Sequence, residues 1–150
     1  MVLQTGCPGG FTKFEGACFK VYHQIVTYDQ ARQFCATKGG LLAMPKDNKT
    51  DDFLWKLKNA ADSGGYFWFG LSDENWEGRW MWEDGTIHNK SADWSNWREG
   101  QPDNHKGDED CAHYNSQAEP GWNDLPCSDK AAKFICQTTG VSDDISSVYQ

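Results

Sequence analysis

The sequence contains no run of about 18 apolar residues that could cross a membrane, so membrane insertion is not expected. It has no Cys-x-x-Cys pair and no His-Glu-x-x-His spacing, which removes the usual signatures of structural zinc, thiol redox catalysis and zinc hydrolysis. Basic charge is scarce: 14 Lys and Arg stand against 22 Asp and Glu, for a formal net charge of −8. Such a surface repels a phosphate backbone and offers no polybasic patch to an anionic bilayer, so nucleic acid is not an expected partner. The apolar share is low at 38%, and no internal repeat or low-complexity tract occurs. The start, Met1 to Cys7, lacks the basic and apolar regions of a secretory signal.

Within 150 residues, a length that suits one compact domain, the chain carries six cysteines, eight Trp, eight Phe and five Tyr. The aromatic side chains concentrate large buried areas in few residues and so offset the low apolar share. An even set of cysteines in a short chain points to disulfides and an oxidising compartment, hence a secreted or extracellular protein. Cys7 and Cys18 flank a short Gly-rich stretch suited to a hairpin, while the partners of Cys35, Cys111, Cys127 and Cys136 stay open on spacing alone. The triplets Asn48-Lys49-Thr50 and Asn89-Lys90-Ser91 match the acceptor pattern for N-glycans in a eukaryotic secretory pathway.

Local patterns predict an α+β fold. Thr27-Tyr28-Asp29-Gln30 reads as a capping box, followed by Ala31, Phe34 and Cys35 on one face and by Gly39-Gly40 as a stop. A second helix is predicted from Asp47 or Asn48, with Phe53, Leu54, Leu57 and Ala61 at helical spacing, ending before Gly64-Gly65. Short strands are predicted at 66–71, at 80–82, at 111–115, around 122–124 and at 133–137. From Asp84 to Asp110 periodicity is lost, and the stretch reads as a long loop of the kind that carries binding sites. Residues 1–6 are read as a leader, 7–138 as the domain and 139–150 as a flexible tail.

The long loop and its surroundings supply oxygen ligands. Gln101 and Asp103 flank Pro102, Glu109 follows in the same loop, and Asn123-Asp124 stand on a later predicted strand. Calcium takes about six to eight oxygens and accepts a mixture of carboxylates, amides and carbonyls. Trp68-Phe69-Gly70-Leu71, Gln101-Pro102-Asp103 and Trp122-Asn123-Asp124 occur in that order. They resemble the Trp-Ile-Gly-Leu core motif, the sugar-selecting tripeptide and the second calcium tripeptide of the C-type lectin family. The cysteine spacing agrees, and the resemblance covers Cys7 to Gln137.

That resemblance implies a C-type lectin-like fold, with two helices, short antiparallel strands and a long calcium-binding loop. It implies the disulfides Cys7–Cys18, Cys35–Cys136 and Cys111–Cys127. It also implies one calcium ion held by Gln101, Asp103, Glu109, Asn123 and Asp124, with sugar hydroxyls filling the last coordination positions, and a cis bond before Pro102. An auxiliary calcium site is implied at Asp73, Glu77, Asn104, Glu109 and Asp110, with Asn104 standing where the family usually has Asp. Trp68, Trp80, Trp82 and Trp122 are read as core residues, not sugar platforms.

The amide-then-acid order of Gln101 and Asp103 resembles the galactose type, so glycans ending in galactose or N-acetylgalactosamine are the expected partners. Strong galactose binders in the family carry a Trp where this chain has His105. Weak affinity per site is therefore expected, with avidity gained by clustering or oligomerisation, and mannose-type or mixed specificity is the alternative among sugars. On the same fold the alternative to sugar is a calcium-stabilised protein- or ice-binding module. No enzymatic activity is expected, because calcium would hold the carboxylates ionised and remove the protonated acid that glycosidic cleavage needs. His23, His88, His105 and His113 show no metal-binding spacing and are read as surface or loop residues.

Overall fold

A computed structural model describes residues 5–102, 109–139 and 141–142 of the chain. In chain order the elements are β1 Thr5–Gly6, β2 Thr12–Phe14, β3 Ala17–Val26, α1 Tyr28–Thr37, β4 Leu41–Leu42, α2 Asn48–Asp62 and β5 Phe67–Ser72. They continue with β6 Trp80–Trp82, β7 Ile87–His88, β8 Cys111–Tyr114, β9 Trp122–Leu125, β10 Ala132–Thr139 and β11 Val141–Ser142. The fold is α+β, with two helices packed beside a largely antiparallel sheet, as the sequence predicts.

Both helices begin where the polar caps demand. Thr27 accepts from the Gln30 backbone N–H through its hydroxyl, and the Gln30 side chain accepts from the Thr27 N–H, which satisfies two otherwise orphaned donors at the start of α1. At the start of α2 the Asp47 carboxylate accepts from the Thr50 N–H at 2.8 Å. The buried face of α2 then carries Asp51, Leu54 and Lys58. Two of those three are ionisable, and only the apolar residues of this helix were predicted to face inward.

β3 has no counterpart among the predicted strands. Its burial alternates poorly, and its last turn of sequence, His23 to Ile25, is exposed. The strand exists because β10, more than a hundred residues later, pairs with it along almost its whole length, from Ala132 opposite Val26 to Thr139 opposite Ala17. β2 covers the other edge of β3, β5 runs parallel to β10, and β8 joins β5 to β9. The stretch expected to be one loop from Asp84 to Asp110 contains β7, which pairs with β6, and an isolated parallel bridge from Trp97 to Trp122. At the start of the expected tail, Val141–Ser142 pairs with Thr5–Gly6.

The aromatics fill the core as expected, with Trp68, Trp80, Trp82 and Trp122 all buried. Trp68 donates its indole N–H to the Val26 carbonyl, so a large apolar residue is buried without leaving its polar atom unpaired. The next residues of the same motif bring two segments of the chain together: the Gly70 N–H donates to the Ala43 carbonyl, and a Cβ on Gly70 would stand 2.7 Å from the Leu42 carbonyl oxygen. Only glycine allows that approach.

The three disulfides join Cys7 to Cys18, Cys35 to Cys136 and Cys111 to Cys127, and no cysteine is free. The second ties α1 to β10 across a separation of 101 residues, and the third closes the chain from β8 to just beyond β9. Two of the histidines correct the sequence reading. His88 and His113 are buried, His88 against Trp82 and Trp122, His113 between Tyr66 and Trp68. Burial pushes His113 down to about 4, so the ring is held neutral in the folded protein.

Candidate functional site

The site forms where the return of the long loop meets β5 and β9. Asp73 follows directly after β5, and its N–H donates to the Asp110 carbonyl at 2.9 Å. That one backbone bond docks the end of the long loop onto the loop after β5. As a result, carboxylate oxygens of Asp73, Glu77 and Asp110 all lie within 4.8 Å of one another.

Asp73 is 3% exposed. Its Oδ2 accepts from the Gly78 N–H at 2.8 Å, while Oδ1 is buried and meets no donor among the described residues. Burial is the main cause that pushes Asp73 well above the usual carboxylate range; the Gly78 N–H opposes it, and the Asp110 and Glu77 carboxyls add to it. Three such groups in one corner repel one another unless they are protonated or share a cation. The donor set is all hard oxygen, which suits calcium. A second acidic grouping, Glu74 with Cys111 and Cys127, offers no thiolate, because the two cysteines are bonded to each other.

Asn123 and Asp124 stand on β9, opposite His113 and Ala112 of β8. Asp124 is 1% exposed, and the Asn123 side-chain oxygen accepts from the Asp124 N–H. Ahead of them Trp122 is wedged into the core, with Phe69, Trp82, Trp94 and Trp97 around its ring. Its indole N–H donates to Asp51 on α2 at 2.8 Å.

On the loop side, the Gln101–Pro102 peptide is cis, as the resemblance implied. Gln101 donates its N–H to the Arg98 carbonyl, and its own carbonyl accepts from the Lys90 ammonium. Glu109 and Asp110 lead directly into Cys111 of β8. Asp103, Asn104 and His105 lie outside the described residues, and so does the closing of the five-residue calcium set through Asp103.

Asp73, Glu77 and Asp110, grouped by the resemblance as part of an auxiliary calcium site, lie close together; the sequence reading missed what lies underneath. Asp51 is 3% exposed and accepts from the Tyr114 hydroxyl and the Trp122 indole at Oδ1, and from the Asn96 amide at Oδ2. The available signal was an acidic residue in register with Leu54 and Lys58 on the inward face of α2, where a solvated helix would carry an apolar side chain.

The family profile described as the lectin C-type domain matches residues 24–138. The alpha-N-acetylgalactosamine-specific lectin of Patiria pectinifera is 32% identical over 136 residues, which cover 85% of this chain and 77% of that protein. Among solved structures, the carbohydrate-recognition domain of the human scavenger receptor C-type lectin superposes with a TM-score of 0.76 at 31% identity, covering 89% of this chain and 99% of that one. A calcium-independent type II antifreeze protein superposes with a TM-score of 0.77 at 27% identity, covering 92% of this chain and 98% of that one. Matched by sequence profile over residues 24–138 and by fold over 89% of its length, this chain belongs to the C-type lectin domain family.

Proposed function

We propose that this chain is a calcium-dependent carbohydrate-binding domain, secreted or extracellular, that takes glycans ending in galactose or N-acetylgalactosamine. Asp73, Glu77, Asn104, Glu109 and Asp110 would hold one calcium ion, and Gln101, Asp103, Glu109, Asn123 and Asp124 a second. At the second site the bound ion offers open coordination positions to a pair of vicinal sugar hydroxyls. The side chains around it do the selecting. Carboxylates accept the hydroxyl protons, and the amides of Gln101 and Asn123 donate to the hydroxyl lone pairs, so the order of acid and amide sets which diol fits. His105 would flank the sugar. Residues 7–138 form the binding domain under this reading, and clustering of several copies would supply avidity.

The observation that carries calcium is the gathering of the Asp73, Glu77 and Asp110 carboxylates within 4.8 Å of one another, with a buried Asp73 oxygen that meets no donor among the described residues. The galactose side rests on Gln101-Pro102-Asp103 and is supported by the name of the Patiria pectinifera relative, an alpha-N-acetylgalactosamine-specific lectin. The family is generally not enzymatic, and binding without turnover is the activity proposed.

A glycan array probed with calcium and with chelator tests this reading. Galactose- and N-acetylgalactosamine-terminated glycans should bind with calcium and be released by chelation; retention after chelation, or no glycan bound at all, would sink it. The exchange Gln101→Glu with Asp103→Asn should move competition from free galactose toward free mannose. The antifreeze neighbour favours a second reading, an ice-binding module, and calcium-independent thermal hysteresis without glycan binding would establish that one instead.

A further inference from the structure

The two halves of the proposed sugar site come from separate parts of the chain. The loop half centres on Gln101, the strand half on Asn123 and Asp124. Neither half is attached only through its own element. The Asp51 carboxylate, buried on α2, receives the Trp122 indole N–H at 2.8 Å and the Asn96 side-chain amide at 2.9 Å. Asn96 is exposed on the long loop, and its backbone carbonyl accepts from the Trp122 N–H at 2.8 Å. The Trp122 carbonyl then accepts from the Arg98 N–H, and the Arg98 carbonyl accepts from the Gln101 N–H.

A continuous set of hydrogen bonds therefore runs from Asp51 through Asn96 and Trp122 to both halves. Gly121 permits it: a Cβ there would lie 2.7 Å from the Arg98 side chain and 3.1 Å from the Asn96 carbonyl oxygen. The third donor to Asp51, the Tyr114 hydroxyl at 2.6 Å, comes from β8, opposite Trp122 in the β8–β9 ladder, and makes no bond to the long loop in this set.

We infer that Asp51 is a positioning residue for the binding site, the shared acceptor that sets the long loop in register with β9 and so fixes Gln101 relative to Asn123 and Asp124. This rests on the reading of those residues as calcium and sugar ligands. Asp51 touches neither ion nor sugar. It is suited to the task because a carboxylate with two oxygens can hold donors from two elements at once, in a buried setting where each bond is stronger than at the surface and costly to lose. Without it, the exposed Asn96 would be tied to β9 by its backbone alone.

The variant Asp51→Ala removes the acceptor outright and can fail to fold, so the deciding pair is Asn96→Ala and Tyr114→Phe. The first cuts the link from Asp51 to the loop at an exposed position. The second removes a donor from the same carboxylate and leaves the bonds from Asn96 and Trp122 to Asp51, and the backbone bonds from Trp122 to the loop, in place. In chelator, amide hydrogen exchange at Arg98, Gln101 and Trp122 is expected to quicken by about tenfold in Asn96→Ala and to stay within about twofold of the unaltered protein in Tyr114→Phe. By calorimetric titration, calcium affinity is expected to weaken about tenfold in Asn96→Ala alone, the size typical of losing a residue that orients metal ligands.

Equal quickening in both variants, or none in Asn96→Ala, overturns the inference, as does quickening with unchanged calcium affinity. If the unaltered protein binds no calcium, the proposed function fails, while the exchange measurement, made without calcium, still decides whether Asp51 holds the loop to β9.

Discussion

Two buried carboxylates in this protein share an environment and differ in company. Asp51 and Asp73 are each 3% exposed, and burial is the leading cause that raises both above the usual carboxylate range. Asp51 meets three donors of the protein, from Tyr114, Trp122 and Asn96, each of which pulls its pKa back down. Asp73 meets one, the Gly78 N–H, and then the Asp110 and Glu77 carboxyls. Burial of a charge is tolerated when hydrogen bonds replace the lost water. At Asp51 the fold supplies that replacement, so the residue serves architecture. At Asp73 the described residues supply less of that replacement, and the crowding is relieved either by a proton or by a shared cation.

The largest test of this contrast is to remove the satisfied acid. Asp51→Ala leaves the Tyr114 hydroxyl, the Trp122 indole and the Asn96 amide without an acceptor, and a loss of about 3–5 kcal/mol is expected in urea unfolding with calcium present. A loss below about 1 kcal/mol would mean that the three donors find water instead.

A second test separates the carboxylates from a buried imidazole, His113. His113 ordinarily titrates at 6.5 and is lowered by burial to about 4, so the unfolded chain takes up its proton first as pH falls. Stability from this group is full above about 6.5 and is lost as pH drops toward 4, by about 3 kcal/mol in total. His113→Phe should flatten that part of the stability-against-pH curve. An unchanged slope between those values would assign the acid sensitivity elsewhere.

Calcium itself should act on the Asp73 corner and not on Asp51. With an affinity of about 10⁻⁴ M and calcium near 1 mM, mass action adds about 1.4 kcal/mol, seen as a rise of roughly 2–6 °C in the thermal midpoint. Asp73→Asn removes one of the crowded charges and supplies an N–H. It should therefore raise the midpoint in chelator while weakening the response to calcium. A variant that lowers the midpoint in chelator would show that the three carboxylates are already stable together.

The smallest effect marks the scale. Asp52, next in sequence to Asp51, is exposed and pairs with Lys56 at 2.8 Å on the outer face of α2. Asp52→Ala should cost about 0.3–0.5 kcal/mol, the usual worth of such a helical pair. The tenfold gap expected between adjacent aspartates comes from burial together with the three donors that would lose their acceptor at Asp51.

The same gap explains what sequence reading reached and where it stopped. Short-range signals were legible because their partners are close in the chain. The Thr27–Gln30 cap, the Asp47 cap, the α2 stripe of Leu54 and Leu57, and the Trp68 to Leu71 strand all follow from neighbours within a few residues. The ordered motifs Trp68 to Leu71, Gln101 to Asp103 and Trp122 to Asp124, with the cysteine spacing, led to the family, which implied the disulfide pairing and the grouping of Asp73, Glu77 and Asp110. β3 escaped because its strand character depends on β10. His88 and His113 escaped because a histidine is as compatible with a loop as with an aromatic core, and only packing chooses.

By itself, then, the sequence determined which residues begin the helices, which aromatics make a core, that the six cysteines are paired, and which family the chain belongs to. Those properties are local or combinatorial. Tertiary structure alone decided that Asp51 and Asp52, identical in type and adjacent in the chain, face opposite ways into unlike dielectrics. It also decided that the acceptor at Asp51 meets donors 45, 63 and 71 residues away. The worth of a carboxylate depends on what replaces its water, and that replacement comes from parts of the chain that no local pattern connects.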